Sequence, residues 1–560
     1  MGRISEWLDD CDTNHALCKT KNTGPLPSRL IDVTELRKGN KKGVKLIQTA
    51  IGQTGTYTCL SHCWGKVKIS CCTTRDTLAD ALSFIEYDLL PKNFRDAITI
   101  TRRLGVRYVW IDSLCIIQGD AHDWDLESAR MADIYRHGFL TIAATSSADS
   151  TGGCFSTTRK DLFLSLINEA GAQILVGARM CDASGLLTNE ADIANRAPLF
   201  TRGWVLQELL ISRRILLCNY GELAFECLER KTCECGTRSF APHSLGSLGV
   251  TRSTTEQRVL MAKLLNKGHD IANLWRSMVS DYMNLNLTYP TDALPAVSAC
   301  AMVTFEMTRD QYLAGMWRKS LCRELCWTNR SKLRLPRHEE WTAPTWSWAS
   351  IPLGQKITTL KMAVWQSFRP VVEEAIGERE IICSPRGNNR FGALEPATGQ
   401  LQLDAALFPC LFRRFCKGKV SAKHPIQQRN QWGFHSQHPT PEIVATCYLP
   451  EPGLNAQDGI LEAFLDIPPR EALRFDAHLS CPSSTCSLAS IALLHVCQIV
   501  DRKGNALDYF MMLKQVEGKP NCYERIGMAL FHAHSLARRK QWFREVWDKE
   551  ASRKGELTIL

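Results

Sequence analysis

The 560-residue chain is 44% hydrophobic and 22% charged, the balance of an ordinary globular protein, which excludes a disordered polymer or a fibrous repeat. Its net charge of 68 − 58 = +10 is small for the length and spread along it, so a nucleic-acid partner is not demanded. No apolar run approaches the 18 or so residues of a bilayer-spanning helix, which excludes a helical membrane span. The opening MGRISEWLDD lacks the apolar core of a secretion signal and carries Glu6 where myristoylation wants Ser or Thr. Neither secretion nor a lipid anchor is therefore expected, and cytoplasm is the default location. Disulfide scaffolds belong to short secreted chains, so most of the 24 cysteines are expected to be reduced, buried small hydrophobes.

Residues 1–50 are polar and turn-rich, with a KGNKKG cluster expected as a loop before the first strand, Tyr57 to Ser61. Pro91 then stands at a helix start, Phe94 to Leu104 has apolar residues at helical spacing, and Gly105 sits where a glycine ends helices. Arg107 to Ile111 is β-branched and aromatic and predicts a strand closed by Asp112. Asp120 or Asp123 can cap a helix running to about His137, and Phe139 to Ala144 predicts another strand. Alternation of strand and helix with short connections predicts right-handed βαβ units, a parallel sheet covered by helices on both faces. Ligands of such sheets bind beyond the carboxyl ends of the strands, where Asp112 stands. A helix–strand pair follows at Gly203 to Ser212 and Arg214 to Cys218, and the loop-like 229–249 ends this unit, expected to span 51–228. A helical segment is expected over 255–350, with Trp275, Met278, Val279 and Tyr282 on one buried face. Short alternating runs beyond it (GQLQLDAALF, IVATCYL, ILEAFLDI, YFMMLKQVEG) predict a mostly antiparallel β module over 351–560.

The usual phosphate and hydrolase signatures (GxxxxGK[ST], GxGxxG between strand and helix, GxSxG, HExxH) are absent from the sequence. Cys11, His15 and Cys18 form C-x3-H-x2-C, and Cys227, Cys233 and Cys235 form a second local thiol group. Each offers three donors where a structural zinc site wants four, so packing or surface thiols are expected and no metal site is assigned. Adjacent Cys71 and Cys72 point differently in any regular element and read as structural. Near the end of the chain, Trp542, Phe543 and Trp547 lie among Arg and Lys. Interleaving for nucleic-acid stacking fits them less well than an apolar stripe of Phe543 and Trp547, at helical spacing, docking a C-terminal helix.

On a helical wheel of RGWVLQELLIS, Val205, Leu206, Leu209 and Leu210 fill one arc, and Trp204, Gln207, Glu208 and Ile211 fill the opposite one. An indole, an amide and a carboxylate therefore converge away from the apolar arc and are expected to line a cleft. An indole can stack on a planar ring and, by desolvation, raise the pKa of a neighbouring carboxyl; a carboxylate can stabilise the positive charge that grows as a glycosidic bond breaks. The plainer alternative is a solvated face with Trp204 buried against a second domain.

YTCLSHCWG (57–65), LPKNFRDAITITRRLGVRYVWIDSLCIIQGDAHDW (90–124), ARMADIYRHGFLTIAATSSADSTGGCF (129–155) and RGWVLQELLISRRILLC (202–218) resemble, in this order and spacing, the fungal heterokaryon incompatibility (HET) domain. The flanking WLDDCDTNHALC, LPSRLIDV and APTWSWAS segments resemble the surroundings of that domain in long HET proteins, so the likeness covers about 5–350. His62 stands where the family usually has Tyr, Gly119 where Asp or Asn is common, and Cys300 where Gly is frequent.

The resemblance implies an effector of nonself recognition between fungal cells and of a regulated cell death, with self-association or other death-signalling proteins as partners. It also implies a TIR-like (flavodoxin-like) parallel sheet. Some TIR domains cleave the nicotinamide glycosidic bond of NAD with a helix-borne glutamate. By that analogy Glu208 is the catalytic candidate, NAD the candidate substrate, and Trp204 and Gln207 neighbours of the ring. Asp112 and Gln118 become candidate ribose or phosphate contacts. An interaction module without catalysis is the competing reading, and a zinc or redox regulator, suggested by the thiols, a third.

Overall fold

A computed structural model describes residues 2–19, 23–65, 71–155, 162–167, 173–178, 195–234, 271–331, 334–359, 371–374, 377–396, 398–405, 407–414, 446–448, 459–466, 487–500, 506–533 and 555–560. Cys235, most of the 229–249 loop and the Trp542–Trp547 stripe lie outside them. Among the described residues, no helix is long and apolar enough to cross a membrane.

The first half is organised by a nine-stranded mixed sheet. Its strands are β1 (Arg29–Lys38), β2 (Lys41–Gln48), β3 (Tyr57–Ser61), β4 (Ile85–Glu86), β5 (Tyr108–Ile111), β6 (Leu140–Ala143), β7 (Arg214–Cys218), β8 (Leu223–Cys227) and β9 (Lys231–Cys233). They lie in the order β9-β8-β7-β6-β3-β5-β1-β2-β4. Parallel pairing joins β7 to β6, β6 to β3 and β3 to β5; every other pair is antiparallel. The expected all-parallel sheet is thus four central strands, whose chain numbering across the sheet runs 2-1-3-4, with antiparallel strands β8 and β9 added at one side and β1, β2 and β4 at the other. Each central strand is apolar and fully or almost fully buried, as strands covered on both faces must be.

The N-terminal residues differ most from expectation. KGNKKG is the turn of the β1–β2 hairpin, with Gly39 in the left-handed region at φ +60°. The hairpin's inner half, Arg29 to Val33, is buried and extends the sheet past β5 through Ile31 opposite Val109. Its lysine-rich outer half projects outward, which hides the strand pattern from a composition reading. Helix α1 (Gly2–Asn14) buries Ile4, Trp7, Leu8 and Cys11, spaced i, i+3, i+4, i+7, and stacks Trp7 on Phe225 of β8 at 6.1 Å.

Helices α2 (Lys92–Arg103) and α3 (Ala121–His137) agree with the sequence signals. Gly105 closes the first at φ +71°, and Asp120 Oδ1 caps the second by accepting from the N–H groups of His122 and Asp123 at 3.1 and 3.2 Å. Helix α4 (Gly203–Ile211) precedes β7. Helices α5 (Ile271–Tyr282) and α6 (Ser298–Thr308) belong to the helical segment, where Trp275, Met278, Val279 and Tyr282 are all buried.

The C-terminal part is a ten-stranded, mostly antiparallel sheet. It contains the expected strands at 400–405, 446–448, 459–465 and 506–515, and also the long strands 487–500 and 522–533, which the sequence reading passed over. Helical segment and C-terminal sheet share one core, from Trp275 and Trp317 to Phe510 and Met528, and Leu206 and Leu210 of α4 insert into it. The described cysteines are free thiols.

Candidate functional site

Parallel strands carry their carboxyl ends to one edge, and the chain leaving β3 there places Ser61, His62, Cys63 and Trp64 beside Asp112, which follows β5. Asp112 Oδ2 accepts from Trp64 Nε1 at 2.8 Å, and Oδ1 accepts from the Ser113 N–H at 2.7 Å and lies 3.8 Å from His62 Nδ1. His62 is buried with its ring edge-on to Phe94 at 5.1 Å. Burial pushes its pKa down to about 4 despite the opposing charge of Asp112, so the imidazole is neutral at ordinary pH. The Arg202 guanidinium donates to the His62 carbonyl and ties the start of α4 to this edge.

Glu208 is 5% exposed, between α4 and the sheet. Burial raises its pKa to about 7, against the pull of Arg202 and of the hydroxyls of Ser61 and Tyr135, with the Asp112 charge adding to the rise. Residues 59 and 61 share one face of β3, which is the period-2 signal that would have found Ser61. Arg202, Tyr135 and His62 were missed as neighbours because they come from three different elements.

The expected convergence of Trp204, Gln207 and Glu208 on one cleft does not occur. Trp204 Nε1 donates to Asp292 Oδ2 at 3.0 Å and the indole lies edge-on to Trp124 at 6.3 Å. Gln207 is 1% exposed, and its Oε1 accepts from the Ala299 N–H at 3.0 Å, satisfying an orphan donor in the first turn of α6. Positions 207 and 208 are 100° apart on the wheel, enough for one to face the helical segment and the other the sheet. The second arc of α4 is therefore covered as well, with Gln207 and Glu208 buried and Trp204 and Ile211 half-buried, so it is not the solvated face of the plainer alternative, although Trp204 does pack against another part of the chain. Gln118 is also engaged within its own loop. Its Nε2 donates to the Ile116 carbonyl at 3.0 Å and the Asp112 carbonyl at 3.4 Å.

The edge thus brings together Glu208, Asp112, a neutral histidine and an arginine, a set able to hold a carboxyl in either protonation state near neutrality. Residues 57–208 match the family described as Heterokaryon incompatibility protein (HET). The chain carries a HET domain. That domain suggests a role in heterokaryon incompatibility. No curated protein and no solved structure matches the chain.

Two buried glutamates make stability fall as pH rises. Glu208, at about 7 when folded against an ordinary 4.5, and Glu324, raised by burial to about 8, are neutral in both states below about pH 4.5. Above that the unfolded chain ionises first, and the stability is lost progressively as pH climbs through the folded values. Urea unfolding of Glu208→Gln is expected to show on the order of 3 kcal/mol more stability than the unsubstituted chain at pH 8, and no gain at pH 4. Parallel pH profiles for the two proteins would contradict the burial of this carboxyl.

Proposed function

We propose that the chain is an effector of heterokaryon incompatibility whose HET domain triggers cell death when copies are brought together. The observation that carries this reading is the HET match over three of the four parallel strands and the edge that gathers Asp112 and Glu208. Expression of the full chain in a filamentous fungus, fused to a dimerising coiled coil, is expected to arrest growth, whereas a monomeric fusion at equal abundance is tolerated. Normal growth with abundant, folded, dimerised protein would refute it.

One observation favours an enzymatic form of this function: a carboxyl raised to about 7 beneath the carboxyl edge of a parallel core in 2-1-3-4 order. That order is the flavodoxin-like one, which supports the TIR-like reading, and its strand-1/strand-3 boundary is where ligands of such sheets bind. In this reading the domain hydrolyses NAD. Water adds to the ribose C1′ as the bond to the nicotinamide nitrogen breaks, giving nicotinamide, ADP-ribose and a proton. Ionised Glu208 stabilises the oxocarbenium-like sugar and then accepts the water proton. In this reading Asp112, at the strand end with its side chain 23% exposed, contacts the ribose. Because Trp204 and Gln207 are held by Asp292 and Ala299, the described arrangement is closed. Substrate entry requires the helical segment to move off α4, and self-association supplies the force.

A further inference from the structure

Four side chains that the site above does not use meet on the opposite side of the domain. Cys11 in the last turn of α1, His15 just after it, Cys18 at the end of the short 3₁₀ turn Ala16–Cys18, and Cys227 at the end of β8 are buried, and their ligating atoms all lie within 4.8 Å of one another. Tetrahedral zinc with thiolates at ~2.3 Å spaces its donors about 3.8 Å apart, so this set needs only small adjustments to close on an ion. The sequence shows three donors in C-x3-H-x2-C; the fourth arrives from 212 residues away, with Cys227 Sγ 3.2 Å from His15 Nδ1.

The surroundings have the chemistry of a metal centre. The tight turn after Cys227, closed by its N–H to the Arg230 carbonyl at 2.8 Å, aims the N–H groups of Glu229 and Arg230 at the Cys227 sulfur, 3.5 and 3.3 Å away. Two N–H groups directed at one sulfur stabilise a thiolate, the ligating form. The other histidine nitrogen, Nε2, faces Asp10 Oδ2 at 3.9 Å, so that Nδ1 is left to ligate and a carboxylate orients the ring from behind. Asp10 is itself fixed by Arg230 Nη1 at 2.9 Å, and the Glu229 carboxylate accepts from the Leu17 N–H, so the turn and the N-terminal segment lock each other. Three thiolates, a neutral imidazole and a divalent ion sum to −1. The buried guanidinium of Arg214, paired with Asp12, lies close enough to act on the Cys11 sulfur and offset that charge.

We propose that Cys11, His15, Cys18 and Cys227 bind one structural zinc ion, which clamps the N-terminal helix to the edge of the nine-stranded sheet. Binding replaces the remaining thiol protons, which pass to solvent, and involves no change of oxidation state. Soft sulfur ligands and four closed positions select zinc over harder cations and leave no open site for catalysis.

Full-length protein purified under reducing conditions is expected to contain close to one equivalent of zinc by elemental analysis. Cys227→Ser and Cys11→Ser are expected to lose most of it, and Cys233→Ser, whose thiol packs in a separate apolar cluster, to keep it. Since the first two variants can fail to fold, the unsubstituted chain carries an independent test. Stripped with a chelator and refilled with cobalt(II), it is expected to show thiolate-to-cobalt charge-transfer bands and strong tetrahedral ligand-field bands, and added zinc should protect three thiols from modification. Any of three results would overturn the site: no binding of added zinc by the reduced chain, an octahedral cobalt spectrum, or a full equivalent of zinc retained in both cysteine variants.

Discussion

Glu208→Gln is expected to reduce nicotinamide release from NAD by roughly 100- to 10,000-fold, the range lost when a positioned acid or base is removed. Glutamine keeps the size of the side chain and its capacity for hydrogen bonds, but it cannot ionise to support a sugar cation or take a proton from water. The same substitution removes a buried ionisable group, so the variant is expected to be at least as stable as the parent at pH 8 while losing its activity. Gain of stability with loss of turnover is the signature of a functional acid; a structural one gives both losses together. The assay uses the coiled-coil-assembled full chain, with nicotinamide measured over time. Equal release by variant and parent would remove Glu208 from the reaction. An assembled, folded parent that leaves NAD intact would remove the enzymatic reading and leave assembly as the means of killing.

Asp466→Ala is expected to cost about 3–5 kcal/mol in urea unfolding, because it leaves a buried guanidinium without its counter-charge. Arg525 and Asp466 are both 0% exposed, with Nε to Oδ2 at 2.8 Å. The same guanidinium donates at 2.5 Å to the carbonyls of Leu325 and Trp327 and lies 3.7 Å above the Trp327 ring, so one side chain fastens the helical segment to the C-terminal sheet. Adding Arg525→Met to the alanine variant is expected to recover part of the loss, because the double variant no longer buries a lone charge, although it also gives up the bonds to Leu325 and Trp327. If the double variant is less stable than Asp466→Ala by the full cost of Arg525→Met alone, the pair is not coupled as the geometry requires.

What could be read from the sequence was what local signals encode. Helices α2 and α3 carry their own punctuation, a proline or aspartate at the start and a glycine near the end, and strand β5 is a β-branched and aromatic run closed by Asp112, whereas α4, β6 and β7 were legible from their apolar patterns alone. The β1–β2 hairpin does not, because its lysine-rich outer half is solvated and only its inner half enters the sheet. The strand 487–500 lacks an alternating pattern: Leu493, Leu494, Val496 and Cys497 are all buried, and burial on both faces erases the alternation that marks a strand. At the site, Asp112 was legible as a strand end and Glu208 as a wheel position. The destinations of Trp204 and Gln207 were not, for a wheel shows which residues share a face and never what covers it. The Cys227 contribution was out of reach for a different reason: metal-ligand spacing is read locally, and this donor is on a hairpin far along the chain.

The span recognised as a HET domain begins at β3 and stops at residue 208, inside α4. Five of the nine strands of its sheet lie beyond those limits, among them β1 and β7, the immediate neighbours of β5 and β6. A fragment cut at the recognised limits would present two raw hydrogen-bonding edges and a truncated helix stripped of its cover, the conditions for self-templating strand addition rather than folding. The smallest heritable unit here is therefore larger than its signature: a gene rearrangement that moves the domain intact must also carry the hairpin before it and the strands after it.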